Sequence, residues 1–169
     1  MTTLYLVRHG ETVDNAAQIM QGQTQGQLNA HGIRQAEELR DKLRDLPIDA
    51  FVSSDLRRSI QTCEILARPR GMSVTTTPLL RERDWGDFTG KYIPDLQGIS
   101  PWPDNIESLP RLKERARAFL AWVRERYPDK TVVAVGHGII NKAIQSVFYD
   151  KPMDEIPRMN NAEARELVL

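Results

Sequence analysis

The sequence predicts a three-layer α/β domain, with helices on both faces of a mostly parallel central sheet. Three observations carry that expectation. Leu4 to Val7 form a short apolar run, which suits a strand covered on both faces. Thr131 to Gly136 repeats the pattern late in the chain, and an apolar helical segment follows it. Between these two runs, short strand-like stretches alternate with amphipathic stretches at helical spacing, the order of parallel strands joined by helices.

The first strand breaks into Arg8-His9-Gly10-Glu11-Thr12. Gly10 lets the backbone turn sharply and lets a ligand approach closely. In an open α/β sheet, ligands bind beyond the carboxyl ends of the strands, so a fixed cation and an imidazole stand where chemistry is usually placed. The late strand ends in His137-Gly138. The chain has three histidines, and two of them close predicted strands in this way. Spacing alone leaves His9 and His137 interchangeable in role.

Val13 to Gln27 is rich in Gln, Gly, Asn and Thr and reads for the most part as irregular loop. Asn29 is a good N-cap for a helix from Ala30 to about Asp45, with Ala36, Leu39 and Leu43 as its apolar stripe. His31 lies on the first turn of that helix and is expected to be exposed, because no strand delivers it to the site. Ile48 to Ser53 reads as the second strand. Ser54 or Asp55 then caps a helix to about Arg70, where Gly71 can end it. Ile60, Cys63, Leu66 and Ala67 form its buried face, which makes Cys63 an inert core thiol. Arg57 and Arg58 lie on its first turn, beside N–H groups that attract anions.

Val74 to Thr76 is a short third strand. Tyr92 to Glu107 carries Pro94, Pro101 and Pro103 with little periodicity, and should be a loop over the site. Ser108 can cap a long helix to about Tyr127, with Leu112, Ala116, Phe119, Leu120 and Val123 inward. Pro110 is tolerated near its start, where N–H groups lack intrahelical partners. The helix after the late strand runs from Gly138 to about Phe148, and Ala164 to Leu169 closes the chain as an edge strand. No repeat or linker divides residues 1–169, so one domain is expected.

Composition narrows the function classes. The chain is 40% hydrophobic and 27% charged, as a globular protein is. Its formal charge is zero, so any anion site must be a local concentration of cations, and neither nucleic acid nor a membrane surface is an expected partner. No apolar run approaches the roughly 18 residues of a membrane span, and the N-terminus lacks a signal-peptide pattern. A single cysteine excludes an internal disulfide and fits a cytoplasmic setting. No Asp-x-Asp cluster, Cys pair or His-x-x-x-His spacing points to a metal, and no Walker loop is present, so no cofactor is expected.

Arg8-His9-Gly10-Glu11-Thr12 together with His137-Gly138 resembles the signature of the histidine phosphatase superfamily, the group that includes the phosphoglycerate mutases and many small phosphatases. The resemblance runs from Leu4 to about Glu163 and implies the phosphoglycerate mutase-like version of the fold. Ser54-Asp55-Leu56-Arg57-Arg58 is similar to the family's Ser-Asp-Leu-x-Arg motif, which assigns phosphate binding to Arg58 and leaves Arg57 solvated. Leu80-Arg81-Glu82, with Gly86 four positions beyond the Glu, resembles the acid-bearing loop and implies Glu82 as general acid. Positions matching Asn15 and Gly22 contact phosphoryl group or substrate in the family. Gln21, Thr24 and Gly138 join them as candidate substrate contacts. His9 is implied as the nucleophile, with Arg8, Arg58 and His137 around the phosphoryl oxygens. Phosphoryl transfer asks chiefly for positioning and charge stabilisation, and guanidinium forks suit it.

Three departures stand out. Phe88-Thr89-Gly90 replaces a run that often carries a second carboxylate, Ile139 stands where mutases often have a polar residue, and Lys142 replaces a frequent arginine. The expected function is a metal-independent phosphomonoesterase that acts on a small phosphorylated substrate through a phosphohistidine. The short lid region around 83–108 disfavours the alternative, a phosphoglycerate mutase. A catalytically silent phosphate-binding or interaction module is the rival of another class, and it predicts the loss of one of Arg8, His9, Arg58, Glu82 and His137, all of which stand. Oligomeric state is left open.

Overall fold

The computed structural model describes residues 1–169. Five strands form one sheet: β1 (Thr3–Arg8), β2 (Ala50–Ser53), β3 (Val74–Thr76), β4 (Thr131–Gly136) and β5 (Ala164–Val168). Their order across the sheet is β3-β2-β4-β1-β5, and only β5 runs antiparallel to its neighbour. The helices are α1 (Val13–Ala16), α2 (Ala30–Lys42), α3 (Arg57–Ala67), α4 (Leu109–Arg126) and α5 (Gly138–Tyr149).

Alternation along the strands sorts the core into two halves. Leu4 and Leu6 of β1, with Val132 and Ala134 of β4, face α4 and α5, where Leu112, Phe119, Leu120, Ile140 and Ile144 are buried. Val7, Phe51, Val133 and Val135 face the opposite way, onto Leu39 of α2 and Cys63 and Leu66 of α3. Each such aliphatic or aromatic side chain contributes about 1.5–3 kcal/mol by leaving water. Helices therefore cover both faces of the sheet, as expected.

Register positions the site. β1 pairs with β4 in parallel, with Arg8 opposite Gly136, so the next residues, His9 and His137, emerge side by side. β2 pairs with β4 with Ser53 opposite Val135, which brings Ser54 to the same edge. Behind this edge, Gly10 meets the first turn of α2. A Cβ on Gly32 would stand 2.0 Å from the Glu11 carbonyl oxygen, and one on Gly10 would stand 2.5 Å from that of Gly32. The pair of glycines lets the backbone leaving β1 lie directly on α2.

Several local expectations need correction. Val13–Ala16 is a helical turn rather than loop, because Thr12 caps it: its hydroxyl accepts from the Asn15 N–H while Asn15 Oδ1 accepts from the Thr12 N–H. α2 ends at Lys42, short of Asp45. α3 is not capped by Ser54 or Asp55; it begins at Arg57 with Leu56 as N-cap. Asp55 is drawn away by a bidentate bond from Arg81, at 2.7 Å for both contacts. The free N–H groups of Arg57 and Arg58 are satisfied from outside by Gln25, through its side chain and its carbonyl respectively. α3 gives way at Arg68 to a 3₁₀ turn that ends at Gly71, whose φ of 65° is left-handed. Asn29 and Ser108 cap α2 and α4 as predicted.

Candidate active site

The β1–β4 edge opens into a pocket of about 340 Å³. Arg8, His9, Asn15, Gln21, Gly22, Arg58, Glu82 and Gly138 line it. His137 lies just behind, fully buried, its ring edge-on to that of His9 with centroids 5.0 Å apart. Thr24 is the one candidate that does not fall at the site. Its hydroxyl bonds back to the Gln21 carbonyl, and its own carbonyl accepts from Arg58 Nη1. It therefore holds an arginine in place and does not face the pocket. His31 is exposed on α2, away from the site.

His9 has a defined tautomer. Its Nδ1 lies 2.7 Å from the Gly10 carbonyl oxygen, which can only accept, so Nδ1 carries the proton and Nε2 keeps its lone pair. Burial, and then the nearby Arg58 charge, push its pKa down to about 3, so the ring is neutral at ordinary pH.

The two guanidinium groups are almost entirely buried, yet neither is paired with a carboxylate. Arg8 is 7% exposed and Arg58 1%. Arg8 Nη1 donates to the Met159 carbonyl at 2.8 Å, and Arg58 Nη2 donates to that of Gly22 at 2.7 Å. Gly22 adopts φ +52°, a conformation glycine takes without strain, and this turns its carbonyl onto the arginine. The Nε atoms of both arginines are buried without a partner. Burial lowers both pKa values, that of Arg58 to about 10, which still leaves it charged. Buried charge without a counter-charge is costly, and a bound anion would relieve it.

His137 is fixed by a residue that sequence reasoning took for a helix cap. Ser54 Oγ lies 2.7 Å from His137 Nε2 and accepts from the Leu56 N–H on its other side. Its proton is then free to go to Nε2, which leaves Nδ1–H as the donor of the imidazole. Nδ1 is buried without a partner beside His9. Burial, followed by the Arg58 charge, lowers the His137 pKa well below the usual value. The signal in the sequence was present: Ser54 follows the last residue of a predicted strand, as His137 does.

Glu82 sits against the N-terminus of α5. Its Oε1 accepts from the N–H groups of Arg83 and Ile140, and its Oε2 accepts from that of Ile139 at 3.1 Å. One acceptor position on Oε2 stays free for the pocket. The loop that carries it is pinned from α4. Arg115 donates to the carbonyls of Leu79, Arg81 and Glu82 and forms a fork with Glu107, with contacts of 2.8 and 3.1 Å. Neither Arg115 nor Glu107 was marked by sequence pattern, since the contact joins distant segments.

The predicted loop over the site carries a 3₁₀ turn at Ile93–Leu96 and supplies Ile93 to the pocket, with Trp85 beside it. Trp102 packs edge-on against Trp85 and Phe88, and the Arg83 guanidinium lies over Trp85 at 4.6 Å. No helix in the chain is long and apolar enough to cross a membrane.

Comparison with known proteins agrees with this geometry. The chain is 36% identical over 167 residues to PhoE of Bacillus subtilis, an uncharacterized phosphatase, covering 96% of this chain and 86% of that one. It is 45% identical over 165 residues to a probable phosphoglycerate mutase of Proteus mirabilis, covering 90% and 77%. Among solved structures it superposes on the mycobacterial glucosyl-3-phosphoglycerate phosphatase in complex with VO3 with a TM-score of 0.89 at 28% identity, covering 98% and 92% of the two chains. It superposes on YhfR of Bacillus stearothermophilus with a TM-score of 0.92 at 28% identity, covering 98% and 90%. The family model described as histidine phosphatase superfamily, branch 1, matches residues 4–169, and the chain belongs to that superfamily.

Proposed function

We propose that this chain is a phosphomonoesterase that hydrolyses a small phosphate ester through a phosphohistidine on His9. The observation that carries the reading is a neutral imidazole with a free Nε2 lone pair, set between two buried guanidinium groups that have no carboxylate partner. A histidine in that state is a competent nucleophile.

In the first step the Nε2 lone pair attacks phosphorus and the ester P–O bond breaks. The departing oxygen takes a proton from Glu82. Arg8, Arg58 and His137 Nδ1–H stabilise the negative charge on the transferring oxygens. In the second step Glu82 takes a proton from water, the resulting oxygen attacks phosphorus, and the P–N bond breaks to release phosphate. Asn15, Gln21, Gly22 and Gly138 contact the substrate at the pocket wall. Thr24 serves this site through Arg58.

A mutase must shield its intermediate from water under a closing lid. Here 83–136 separates Glu82 from His137, and α4 takes up 18 of those residues. That span leaves little chain for a cover, which favours hydrolysis. Inorganic phosphate is expected to accumulate from a small monoester, with negligible interconversion of 2- and 3-phosphoglycerate even when a bisphosphoglycerate primer is supplied. Efficient primed interconversion with little phosphate release would reverse the reading in favour of the mutase.

A further inference from the structure

Asn15 lines the pocket, and its carboxamide is set one way round by a chain of hydrogen bonds that begins at His9. The His9 carbonyl can only accept, so the side-chain atom of Asn161 that lies 3.0 Å from it is the donor, Nδ2. The same Nδ2 donates to Asn15 Oδ1 at 3.4 Å, and the Thr12 N–H donates to that oxygen at 3.1 Å. Both partners of Asn15 Oδ1 only donate, so the oxygen end of the amide is fixed against them. Asn15 Nδ2 then remains for the pocket, and it donates to nothing within the chain.

Asn161 itself does not line the pocket. It reaches the site because β5 pairs back onto the end of β1, with Ala164 opposite Val7. The turn before β5 extends that pairing. The Arg8 N–H donates to the Glu163 carbonyl at 3.2 Å, and the Ala162 N–H donates to the carbonyls of Arg8 and His9 at 2.8 and 3.2 Å. Asn160 closes the turn: its carbonyl accepts from the Glu163 N–H at 3.1 Å, and its N–H donates to Glu163 Oε1 at 2.9 Å. Ala162 stands at φ 58°, a left-handed conformation uncommon for a residue with a side chain. Such a conformation persists where the surroundings impose it, and here the turn that contains it presents Asn161 to the His9 carbonyl.

Resting on the phosphatase reading above, in which Asn15 contacts the substrate, we propose that Asn161 is a positioning residue that holds the Asn15 carboxamide with Nδ2 toward the phosphoryl oxygens. A rotated Asn15 would set Oδ1 against those oxygens and replace an attractive contact by a repulsive one. Without Asn161, the Thr12 N–H alone opposes that rotation. The effect of Asn161 on phosphate binding passes through Asn15, and it vanishes when the Asn15 amide is removed.

The test is a double-mutant cycle read by competitive inhibition of p-nitrophenyl phosphate hydrolysis by inorganic phosphate. Asn15→Ala should raise the phosphate Ki by about 10-fold, the scale of one hydrogen bond to an anion. Asn161→Leu, close in size but without a donor, should raise it by about 3–10-fold. In Asn15→Ala/Asn161→Leu the Ki should stay within about 2-fold of Asn15→Ala alone, because residues that act through one contact are not additive. Asn161→Asp replaces the donor by an acceptor that draws Asn15 Nδ2 out of the pocket, so it should weaken phosphate more than Asn161→Leu does. Circular dichroism verifies each fold, and Asn161→Ala takes the place of Asn161→Leu, under the same criteria, if the latter does not fold. A residue that merely stabilises the turn gives independent effects. Losses that multiply in the double variant therefore overturn the proposal, as does a Ki within about 2-fold of wild type in either single variant. So does an Asn161→Asp protein that binds phosphate no worse than Asn161→Leu. Wild-type protein that releases no phosphate from p-nitrophenyl phosphate overturns the phosphatase reading instead.

Discussion

Replacing Arg115 with Met tests whether Glu82 is held in place from α4. Met retains most of the aliphatic packing and removes the guanidinium. The change leaves Glu107 without its fork and strips one donor from each of the Leu79, Arg81 and Glu82 carbonyls. Arg115 and Glu107 side chains are 17% and 14% exposed, so the pair lies between the surface and buried limits. Exposed pairs contribute about 0–1 kcal/mol, and breaking a buried one costs about 3–5 kcal/mol. A loss of about 2–4 kcal/mol follows, which for a chain of this size lowers Tm by roughly 5–15 °C. Calorimetry reads that shift. Activity should fall with it, because small misplacements of a catalytic group cost up to about 100-fold. The fall should be steep for an alkyl phosphate, whose leaving oxygen needs a proton, and shallow for p-nitrophenyl phosphate. A Tm within about 2 °C of wild type, less than half of the smallest shift worked out above, would refute the reasoning. So would equal losses with both substrates.

Two further outcomes follow from the site. Glu82→Gln should slow alkyl phosphate turnover by about 10²–10⁴-fold and p-nitrophenyl phosphate turnover much less; steady-state kinetics on both esters decides it, and equal loss would remove Glu82 from the role of acid. Stability should fall as the pH drops from about 7 to 5.5. His9 is held at about 3 and His137 well below 6.5, so in this window the unfolded chain binds protons that the folded chain refuses. Each histidine costs about 1.4 kcal/mol per pH unit below the unfolded value. The carboxylates with depressed pKa, Asp41, Asp55 and Asp129, lose their stabilising effect only as pH falls below their usual 3.8, outside this window. Urea unfolding at pH 7.5 and 5.5 should show the decline, and His9→Asn should show about half of it. A flat profile in the wild type would contradict the burial of neutral imidazoles.

Much of this architecture was legible because it depends on local pattern. The two runs ending in His-Gly needed only apolar content and a following glycine, and their pairing, Arg8 opposite Gly136, supplied the juxtaposition. Asn29 and Ser108 act as caps because a short polar side chain followed by a helical stripe has few other uses. Ser54 and Asp55 misled for the opposite reason. Both had the chemistry of a cap, but His137 and Arg81, 83 and 26 residues away, compete for them. Arg115 was invisible for the same reason: its role lies in carbonyls of a loop more than 30 residues distant, and a carbonyl has no sequence signature. Thr24 stood among the candidate substrate contacts, but its hydroxyl is spent on the Gln21 carbonyl and its own carbonyl meets Arg58 rather than the pocket, contacts to backbone carbonyls that leave no mark in the sequence.

The central claim is that His9 carries the phosphoryl group, and trapping it is the most direct test. Phosphorylated protein should be captured from a 32P-labelled monoester by quenching at high pH, where phosphohistidine survives, and by parallel quenching in acid, where it does not. The account predicts stoichiometric, alkali-stable and acid-labile label on His9, with none retained in His9→Ala. Label that persists at wild-type levels in His9→Ala would contradict it.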